Sequence, residues 1–138
     1  MDAGQTLQCR VYFEDTDAGG VVYHSNYLNF YERGRTEFLR NLGFEQDELL
    51  RQNIVFVVRS INVDFKQAAR FNELLLVESR IKRLKKVSLV FDQAIYINRD
   101  EQKILLNQAE VKVGCVSADK FIPVAIPQQI MRKLSNHD

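Results

Sequence analysis

The chain has 138 residues, a length typical of one domain with its own hydrophobic core and no need of a stabilising disulfide or metal. Its composition, 46% hydrophobic and 27% charged, is that of a soluble globular protein. The net charge of +1 gives no general reason to expect nucleic acid or a membrane surface as a partner. No apolar run approaches the roughly 20 residues of a membrane span, and the first residues lack a signal peptide's basic and apolar segments. We therefore interpret residues 1–138 as a single cytoplasmic domain.

The first predicted element is a strand in which apolar and other side chains alternate. Leu7, Cys9, Val11 and Phe13 share one phase of this strand. Cys115, near the end of the chain, also falls on the apolar phase of a predicted strand. We expect both cysteines to be buried as small hydrophobic residues and not to form a disulfide.

A loop rich in carboxylates and glycine follows, with the sequence Asp-Thr-Asp-Ala-Gly-Gly at residues 15–20. Gly19 and Gly20 allow tight turns, or the close approach of the backbone to a ligand. Asp17 and His24 lie on this loop just before a helix, whose free N–H groups and dipole favour a developing negative charge. A carboxylate, a histidine and backbone donors close together make this loop the candidate active site.

One long helical pattern begins at Ser25 and Asn26, both good N-cap residues, and continues to about Leu42. Gly34 in its interior costs roughly 1 kcal/mol relative to alanine, so we expect close packing of the helix against a sheet there. Gly43 predicts the C-terminal stop. The apolar residues at helical spacing are Tyr27, Phe30, Tyr31, Gly34, Phe38 and Leu42.

Strand patterns dominate the rest of the chain, after a short helical turn at 45–51. An apolar run at 54–58 is followed by alternation at 61–65, and the change of phase near Arg59 predicts a β-bulge or a strand buried on both faces.

Three more strands follow, carried by apolar alternation at 75–81, 89–97 and 109–115. Pro127 predicts the first turn of a terminal helix that ends near Leu134. The tally is one long helix and about five strands with short connections, which indicates an α+β fold with an antiparallel sheet. One helix is too narrow to cover such a sheet, so we expect apolar surface to be buried against a second subunit.

The strand, loop and helix start together resemble a known family. The hotdog-fold acyl-CoA thioesterases of the 4-hydroxybenzoyl-CoA type, and most closely their YbgC branch, are similar to the stretch Asp-Thr-Asp-Ala-Gly-Gly-Val-Val-Tyr-His-Ser-Asn-Tyr-Leu-Asn-Phe at residues 15–30. Length and element order agree over nearly the whole chain. The resemblance implies a long helix wrapped by a curved antiparallel sheet of about five strands. It also implies dimers, often tetramers, with active sites at the subunit interface.

The resemblance implies site residues as well. Asp17 would be the catalytic carboxylate, and backbone N–H groups around Tyr23 and His24 would polarise the thioester carbonyl. Gly19 and Gly20 would lie against the substrate. The 4-hydroxybenzoyl-CoA hydrolases proper carry tyrosine where this chain has His24, which favours the YbgC branch.

Thioester hydrolysis requires an attacking oxygen and stabilisation of a tetrahedral oxyanion. Asp17 can attack directly or act as general base for water, and the helix N-terminus can stabilise the oxyanion. His24 can orient Asp17 or water, or protonate the leaving thiolate. The structural alternatives are an Asx-turn role for Asp17 and a capping or packing role for His24.

Other carboxylates are weaker candidates. We expect Asp15 to support the loop, and Glu32 and Glu37 on the helix to form ordinary ion pairs, although some related hotdog families carry their catalytic carboxylate on the helix. Residues 15–20 imitate the opening of a calcium-binding EF-hand loop, but Asn26 replaces the bidentate glutamate and a strand precedes the loop. No cysteine and histidine spacing suits zinc. We therefore expect no metal and no cofactor.

One basic cluster, at residues 80–86, has two interpretations. It is either the solvated end of a hairpin or a surface for the phosphates of coenzyme A; nucleic acid is unsupported because the rest of the chain is not basic. The candidate phosphate ligands are Lys82, Arg83, Lys85 and Lys86, with Lys66 and Arg70 as weaker candidates. The candidate acyl-binding residues are Tyr27, Tyr31, Phe56 and Val58, for each of which an ordinary core position is the alternative.

We interpret the chain as an acyl-CoA thioesterase without a cofactor, forming a homodimer or homotetramer. A hotdog dehydratase or isomerase is the enzyme alternative, but its differently placed Asp/His pair does not match this loop. The alternative from another class is a binding protein that holds an acyl-CoA, or the pantetheine arm of an acyl carrier protein, without turnover.

Overall fold

A five-stranded antiparallel sheet is the centre of the computed structural model, which describes residues 4–135. The strand order across the sheet is β1-β3-β4-β5-β2, so β1 and β2 are the two edges. The α+β class and the five strands are as predicted. The strands are β1 Gln5–Arg10, β2 Ile54–Phe65, β3 Leu74–Leu84, β4 Ser88–Arg99 and β5 Gln102–Ser117, and the helices are α1 Asn26–Asn41, α2 Gln46–Arg51 and α3 Gln128–Ser135.

The inner face of the sheet carries the apolar phase of each strand. Burial alternates along β3 and β4, where residues such as Val77 and Phe91 face the core and Arg80 and Asp92 face outward. The predicted bulge in β2 is confirmed, because the register with β5 shifts between Val58 and Ser60. Such bulges bend strands, which helps the sheet curve around α1.

Helix α1 packs on the inner face, at very short range near its middle. A Cβ added at Gly34 would lie 2.9 Å from Val77 Cγ1 and 2.9 Å from Ser79 Oγ. The predicted close packing is therefore confirmed, because any larger residue would displace these two side chains. Gly43, at φ +96°, ends the helix as predicted, in a backbone region that favours glycine.

The first strand is shorter than predicted. It ends at Arg10, and Phe13 is not on the buried phase of a strand but 81% exposed in a 3₁₀ turn over Phe13–Asp15. The reason is local, because the Asp15 carboxylate accepts the Tyr12 N–H at 2.8 Å and thereby closes the turn. Alternation of side chains could not reveal this hydrogen bond.

The terminal helix and Cys115 agree with expectation, whereas Cys9 is less buried than expected. The carbonyl of Pro127 accepts the N–H groups of Ile130 and Met131, so the proline directly precedes α3. Cys9 is half-buried and Cys115 is buried, and both are free thiols. Burial raises the pKa of Cys9 and raises that of Cys115 to about 11, so Cys115 is held as the neutral thiol. Among residues 4–135, no helix is long and apolar enough to cross a membrane.

Candidate active site

A cleft of about 230 Å³ opens where the loop after β1 and the start of α1 meet the end of β2. It brings Asp17, His24 and Tyr27 together, as the sequence predicted, and adds the segment that follows β2. The lining residues are Asp17, Val21, Val22, His24, Tyr27, Phe65, Lys66, Gln67 and Ala68.

The Asp17 loop is a tight turn closed by backbone hydrogen bonds. The Asp17 N–H donates to the Val21 carbonyl at 2.9 Å, and the Gly20 N–H donates to the Asp17 carbonyl at 3.0 Å. Gly20 has φ +79°, a conformation that favours glycine. The Gly19 N–H donates to Asp17 Oδ1 at 2.8 Å, which leaves Oδ2 without a partner in the described chain. Asp17 therefore forms an Asx turn and lines the cleft at the same time.

Asp15 is the buried support of this loop, only 6% exposed. Its Oδ2 accepts the Tyr12 N–H and its Oδ1 accepts the Asn26 side-chain amide, both at 2.8 Å. Its backbone carbonyl accepts the Tyr23 N–H at 3.3 Å. Through its carboxylate and its backbone carbonyl, Asp15 thus ties the turn after β1, the loop and the first residue of α1 together, which agrees with the expected supporting role.

The start of α1 differs from the predicted capping by Ser25. The Ser25 hydroxyl makes no capping hydrogen bond. Instead, three successive N–H groups from Asn26 to Leu28 donate to carbonyls three residues earlier, at 2.9, 3.3 and 3.1 Å. Helical winding therefore begins at Tyr23, whose own N–H is already bonded. Within residues 4–135, the N–H groups of His24 and Ser25 are the ones left without an acceptor at this helix start.

Aromatic rings form the side of the cleft next to β2. The His24 ring lies edge-on to Phe65 with centroids 5.2 Å apart, and Tyr27 contacts the same ring at 5.7 Å. The Tyr27 hydroxyl accepts the Ala69 N–H at 2.9 Å. Burial raises the pKa of Tyr27, so its phenol is neutral. These contacts hold residues 65–69, at the end of β2 and just after it, against the start of α1.

An ion pair between Glu73 and Arg99 supports the segment after β2 that lines the cleft, through a hydrogen bond to Ala68. Arg99 donates to both Glu73 carboxylate oxygens at 2.8 Å and to the Ala68 carbonyl at 3.1 Å. Glu73 also accepts the Arg70 N–H at 2.8 Å. The Arg99 guanidinium holds the pKa of Glu73 below its ordinary value. Sequence reasoning missed this pair, because no local pattern links Glu73, just before β3, with Arg99, the last residue of β4.

Three of the four expected acyl-binding residues lie outside this cleft. Tyr31 is fully buried in the core and donates its hydroxyl to Asn107 Oδ1 on β5. Phe56 and Val58 line a separate cavity of about 120 Å³ between α1 and β2. Of the four acyl-binding candidates, the cleft itself contains Tyr27.

The basic cluster lies at the opposite end of the sheet. Phe65 pairs with Asn107, whereas Ser88, just after the β3–β4 turn, pairs with Gly114, which places the two ends roughly 23 Å apart along β5. Lys82 forms an ion pair with Glu110 on the outer face. Of the basic candidates, Lys66 is the one that lines the cleft, and it pairs with Asp64 at 3.0 Å.

The two helix carboxylates have ordinary partners. Glu37 forms an ion pair with Arg40, and Glu32 accepts the Thr36 hydroxyl at 3.2 Å. Neither lines the Asp17 cleft. Across residues 4–135, no group of three or more His, Cys, Asp and Glu side chains is placed to hold a metal ion.

The chain matches the thioesterase superfamily over residues 19–104. It is 44% identical to the acyl-CoA thioesterase YbgC of Haemophilus influenzae, over 94% of this chain and 93% of that protein. Among solved structures, a probable thioesterase from Bartonella henselae superposes with a TM-score of 0.82 at 36% identity, over 90% of this chain and 99% of the other. The 4-hydroxybenzoyl-CoA thioesterase of a Pseudomonas species superposes with a TM-score of 0.86 over 94% and 98% of the two chains; at 19% identity this likeness shows the fold. The chain belongs to the thioesterase superfamily, in the YbgC group of hotdog-fold thioesterases.

Proposed function

We propose that the protein hydrolyses acyl-CoA thioesters to the free acid and coenzyme A in the Asp17 cleft. The observation that carries this proposal is the meeting of a carboxylate, a histidine and an uncapped helix start in one cleft. The activity named for the Haemophilus influenzae relative supports it, since that protein matches nearly the whole chain.

In this mechanism Asp17 follows one of two paths. Either its carboxylate attacks the thioester carbonyl and displaces the thiolate, giving a mixed anhydride that water then hydrolyses to the free acid, or it takes a proton from a water molecule that attacks the carbonyl and displaces the thiolate. Asp17 Oδ1 is held by the Gly19 N–H, so Oδ2 is the oxygen available for the reaction. The N–H groups of His24 and Ser25, with the dipole of the 16-residue helix α1, stabilise the tetrahedral oxyanion. The His24 ring, held edge-on against Phe65, orients the water or protonates the departing thiolate. These steps use side chains and backbone alone, so we propose no cofactor.

The thioester lies against Tyr27, next to the reacting carboxylate, whereas Gly19 and Gly20, expected to contact the substrate, shape the turn that holds Asp17 and are outside the lining of the cleft. Tyr31 acts from the core, where its hydrogen bond to Asn107 joins α1 to β5 beneath the cleft. The pantetheine thioester is shared by coenzyme A and acyl carrier protein, and the same chemistry applies to both carriers.

We propose that the working form is a homodimer joined through the edge strand β2, or a homotetramer built from two such dimers. This edge is long, 12 residues, and leaves Val58 48% and Phe65 42% exposed. In a twofold antiparallel pairing, the Phe65 end of one β2 lies beside the Ile54 end of the other. The acyl chain then runs from the Asp17 cleft toward the partner's copy of the cavity lined by Phe56 and Val58. Sedimentation equilibrium at micromolar concentration tests this, and a monomer would contradict it.

A cytoplasmic location is proposed with this function. Acyl-CoA is made and used inside cells, and the two free cysteines suit a reducing compartment. Fractionation of cells that express the tagged protein measures the location, and recovery outside the cytoplasm would contradict it.

The test of hydrolysis is thiol release from short, long and aromatic acyl-CoAs, with Asp17→Asn beside the wild type. The asparagine side-chain oxygen can still accept the Gly19 N–H, so the loop keeps its turn while the carboxylate is lost. We expect kcat to fall roughly a hundredfold or more, with the melting temperature nearly unchanged.

The control variant is Glu14→Gln, which removes an exposed carboxylate from the same loop and should keep full activity. Equal hydrolysis by wild type and Asp17→Asn would make Asp17 structural. A wild type that releases no thiol, yet is stabilised against heat by an acyl-CoA, would be a binding protein instead of an enzyme.

A further inference from the structure

A buried polar cluster, formed by Ser79, Gln93 and Asn107, interrupts the apolar inner face of the sheet beneath α1. Ser79 on β3 and Gln93 on β4 are partners in the strand register, and Asn107 lies on β5. Each of the three is no more than 2% exposed. The register neighbours of Asn107 across the sheet, Ile95 and Val77, are apolar and fully buried. Buried polar groups cost free energy unless they are paired, so the partners of this cluster show its role.

The cluster holds Tyr31, in the interior of α1, at two separate atoms. Gln93 Nε2 donates to the Tyr31 carbonyl at 3.0 Å and to Ser79 Oγ at 2.8 Å. The Tyr31 hydroxyl donates to Asn107 Oδ1. Burial raises the pKa of Tyr31, so the hydroxyl keeps its proton and remains a donor. The helix is therefore tied to β4 through its backbone and to β5 through a side chain.

Arg35, one turn further along α1, adds a third tie to the sheet. Its Nη1 donates to Gln93 Oε1 at 3.1 Å, which fixes the orientation of the Gln93 amide. Gly34 leaves no gap at this point, because an added Cβ would lie 3.1 Å from Gln93 Nε2. Hydrogen bonds weaken steeply when their angles change, so these three ties resist rotation of α1 about its own axis.

The amide of Asn107 is present at a cost in stability. Within residues 4–135, its Nδ2 is the one buried side-chain nitrogen or oxygen that has no hydrogen-bond partner. A leucine of similar size would pack in the core without an unpaired donor. Stability therefore does not account for Asn107, whose remaining side-chain hydrogen bond is the one with the Tyr31 hydroxyl.

We propose that Asn107 and Gln93 are positioning residues that set the rotation of α1 on the sheet and thereby align the helix start with Asp17. Tyr27, which lines the cleft, lies one turn before Tyr31 on the same helix. A rotation of α1 by about 10° would move the Tyr27 hydroxyl, roughly 9 Å from the helix axis, by about 1.5 Å. Misplacements of about 1 Å can lower a rate roughly a hundredfold. The alignment concerns the proposed hydrolysis, and its effect on rate rests on that function.

The main test removes the pair between Tyr31 and Asn107 without leaving a polar atom unpaired. In the double variant Tyr31→Phe/Asn107→Leu both groups become apolar, so the melting temperature should stay within a few degrees of that of the wild type. We expect kcat for acyl-CoA hydrolysis to fall roughly fivefold to tenfold, with KM within about twofold, because the cleft keeps its lining while the helix start loses its alignment.

Gln93→Met tests the other tie independently, and it serves as the second variant if the double variant does not fold. The methionine can neither donate to the Tyr31 carbonyl nor accept from Arg35, so kcat should again fall with KM nearly unchanged. Val111→Ala is the control for general destabilisation, because Val111 is a fully buried apolar residue on the same strand and face as Asn107. It should lower the melting temperature and leave kcat unchanged.

Wild-type kcat in the folded double variant, or in Gln93→Met, would overturn the proposal, since the cluster would then serve packing alone. An equal loss of kcat in Val111→Ala would also overturn it, because any weakening of the core would then explain the loss.

A readout without substrate separates this proposal from the proposed hydrolysis. The backbone ¹H–¹⁵N signals of His24 and Ser25 report the helix start directly. We expect them to shift in the double variant and to stay in place in Val111→Ala. Unmoved signals in the double variant would overturn the alignment. If the signals shift as expected and the wild type releases no thiol, the alignment is supported and hydrolysis is contradicted.

Discussion

The Asp17 cleft and the buried polar cluster beneath α1 are built in opposite ways. In the cleft, Asp17, His24 and the helix start come from one short stretch of chain, closed by backbone hydrogen bonds and by the buried Asp15. In the buried polar cluster, Gln93 and Asn107 come from separate strands, and side-chain hydrogen bonds join them to α1.

This difference matches what each region has to do. Bond-breaking chemistry depends on positions held to a fraction of an ångström, which backbone turns and buried carboxylates can provide. Positioning a whole helix depends on contacts between distant parts of the chain, which neighbouring strands of a packed sheet can provide. We therefore expect the cleft to be sensitive to single hydrogen bonds, and the buried polar cluster to act on the rate through the rotation of α1.

Among variants that keep Asp17, we expect Asp15→Asn to have the largest effect on the cleft. The asparagine carries one acceptor oxygen, so its NH₂ must face either the Tyr12 N–H or the Asn26 amide. We expect a loss of about 1–3 kcal/mol in the free energy of unfolding. We also expect a kcat lowered about tenfold or more, with KM nearly unchanged, because Asp17 and the helix start lose their alignment.

Urea unfolding and thiol release measure these effects, with Glu14→Gln as the exposed control. Substrate affinity that is retained while kcat falls separates loss of alignment from general unfolding. Full activity in Asp15→Asn would contradict the expected sensitivity of the cleft to single hydrogen bonds, since the cleft would then not depend on this carboxylate.

The stability of Glu73→Gln as a function of pH tests the ion pair with Arg99 that supports the cleft. Because Arg99 lowers the folded-state pKa of Glu73, the ionised carboxylate stabilises the protein above the ordinary pKa, and this stability is lost as the pH falls through the folded pKa. At pH 7 we expect the variant to be about 1 kcal/mol less stable than the wild type. The difference should shrink below the ordinary value of 4.5.

Urea titrations at pH 7, 5, 4 and 3 provide the measurement. Glu48→Gln, which removes an exposed i,i+3 pair with Arg51, is the control. A stability difference that stays constant down to pH 3 would show that the charge of Glu73 is not responsible.

Lys82→Gln gives the smallest effect, because it changes neither the cleft nor the buried polar cluster. Its ion pair with Glu110 lies on the outer face, where both side chains are exposed. We expect kcat to be unchanged and the urea midpoint to fall slightly at 50 mM salt, and this change to disappear near 1 M salt, where charges are screened. Urea unfolding at the two salt concentrations measures it. A change that persists at high salt would point to altered shape instead of charge.

Local patterns account for much of what could be predicted. The Asp-Thr-Asp-Ala-Gly-Gly loop, the helix from Asn26 and the bulge at Arg59 depend on residues that are neighbours in the chain, so periodicity and turn chemistry reveal them. The same patterns failed at Phe13 and Ser25, where a hydrogen bond to Asp15 and an early start of helical winding replaced the expected geometry.

The fold class, the apolar faces and the loop that carries Asp17 can be predicted from the sequence, because they follow from backbone preferences over short stretches. Which distant side chains meet depends on the folded chain. Tertiary packing places Tyr31 against Asn107 in the core instead of in the cleft, pairs Glu73 with Arg99, and brings Gln93 to the Tyr31 carbonyl. Strand register and sheet curvature set these contacts, and both arise from packing over the whole sheet, which no local pattern encodes.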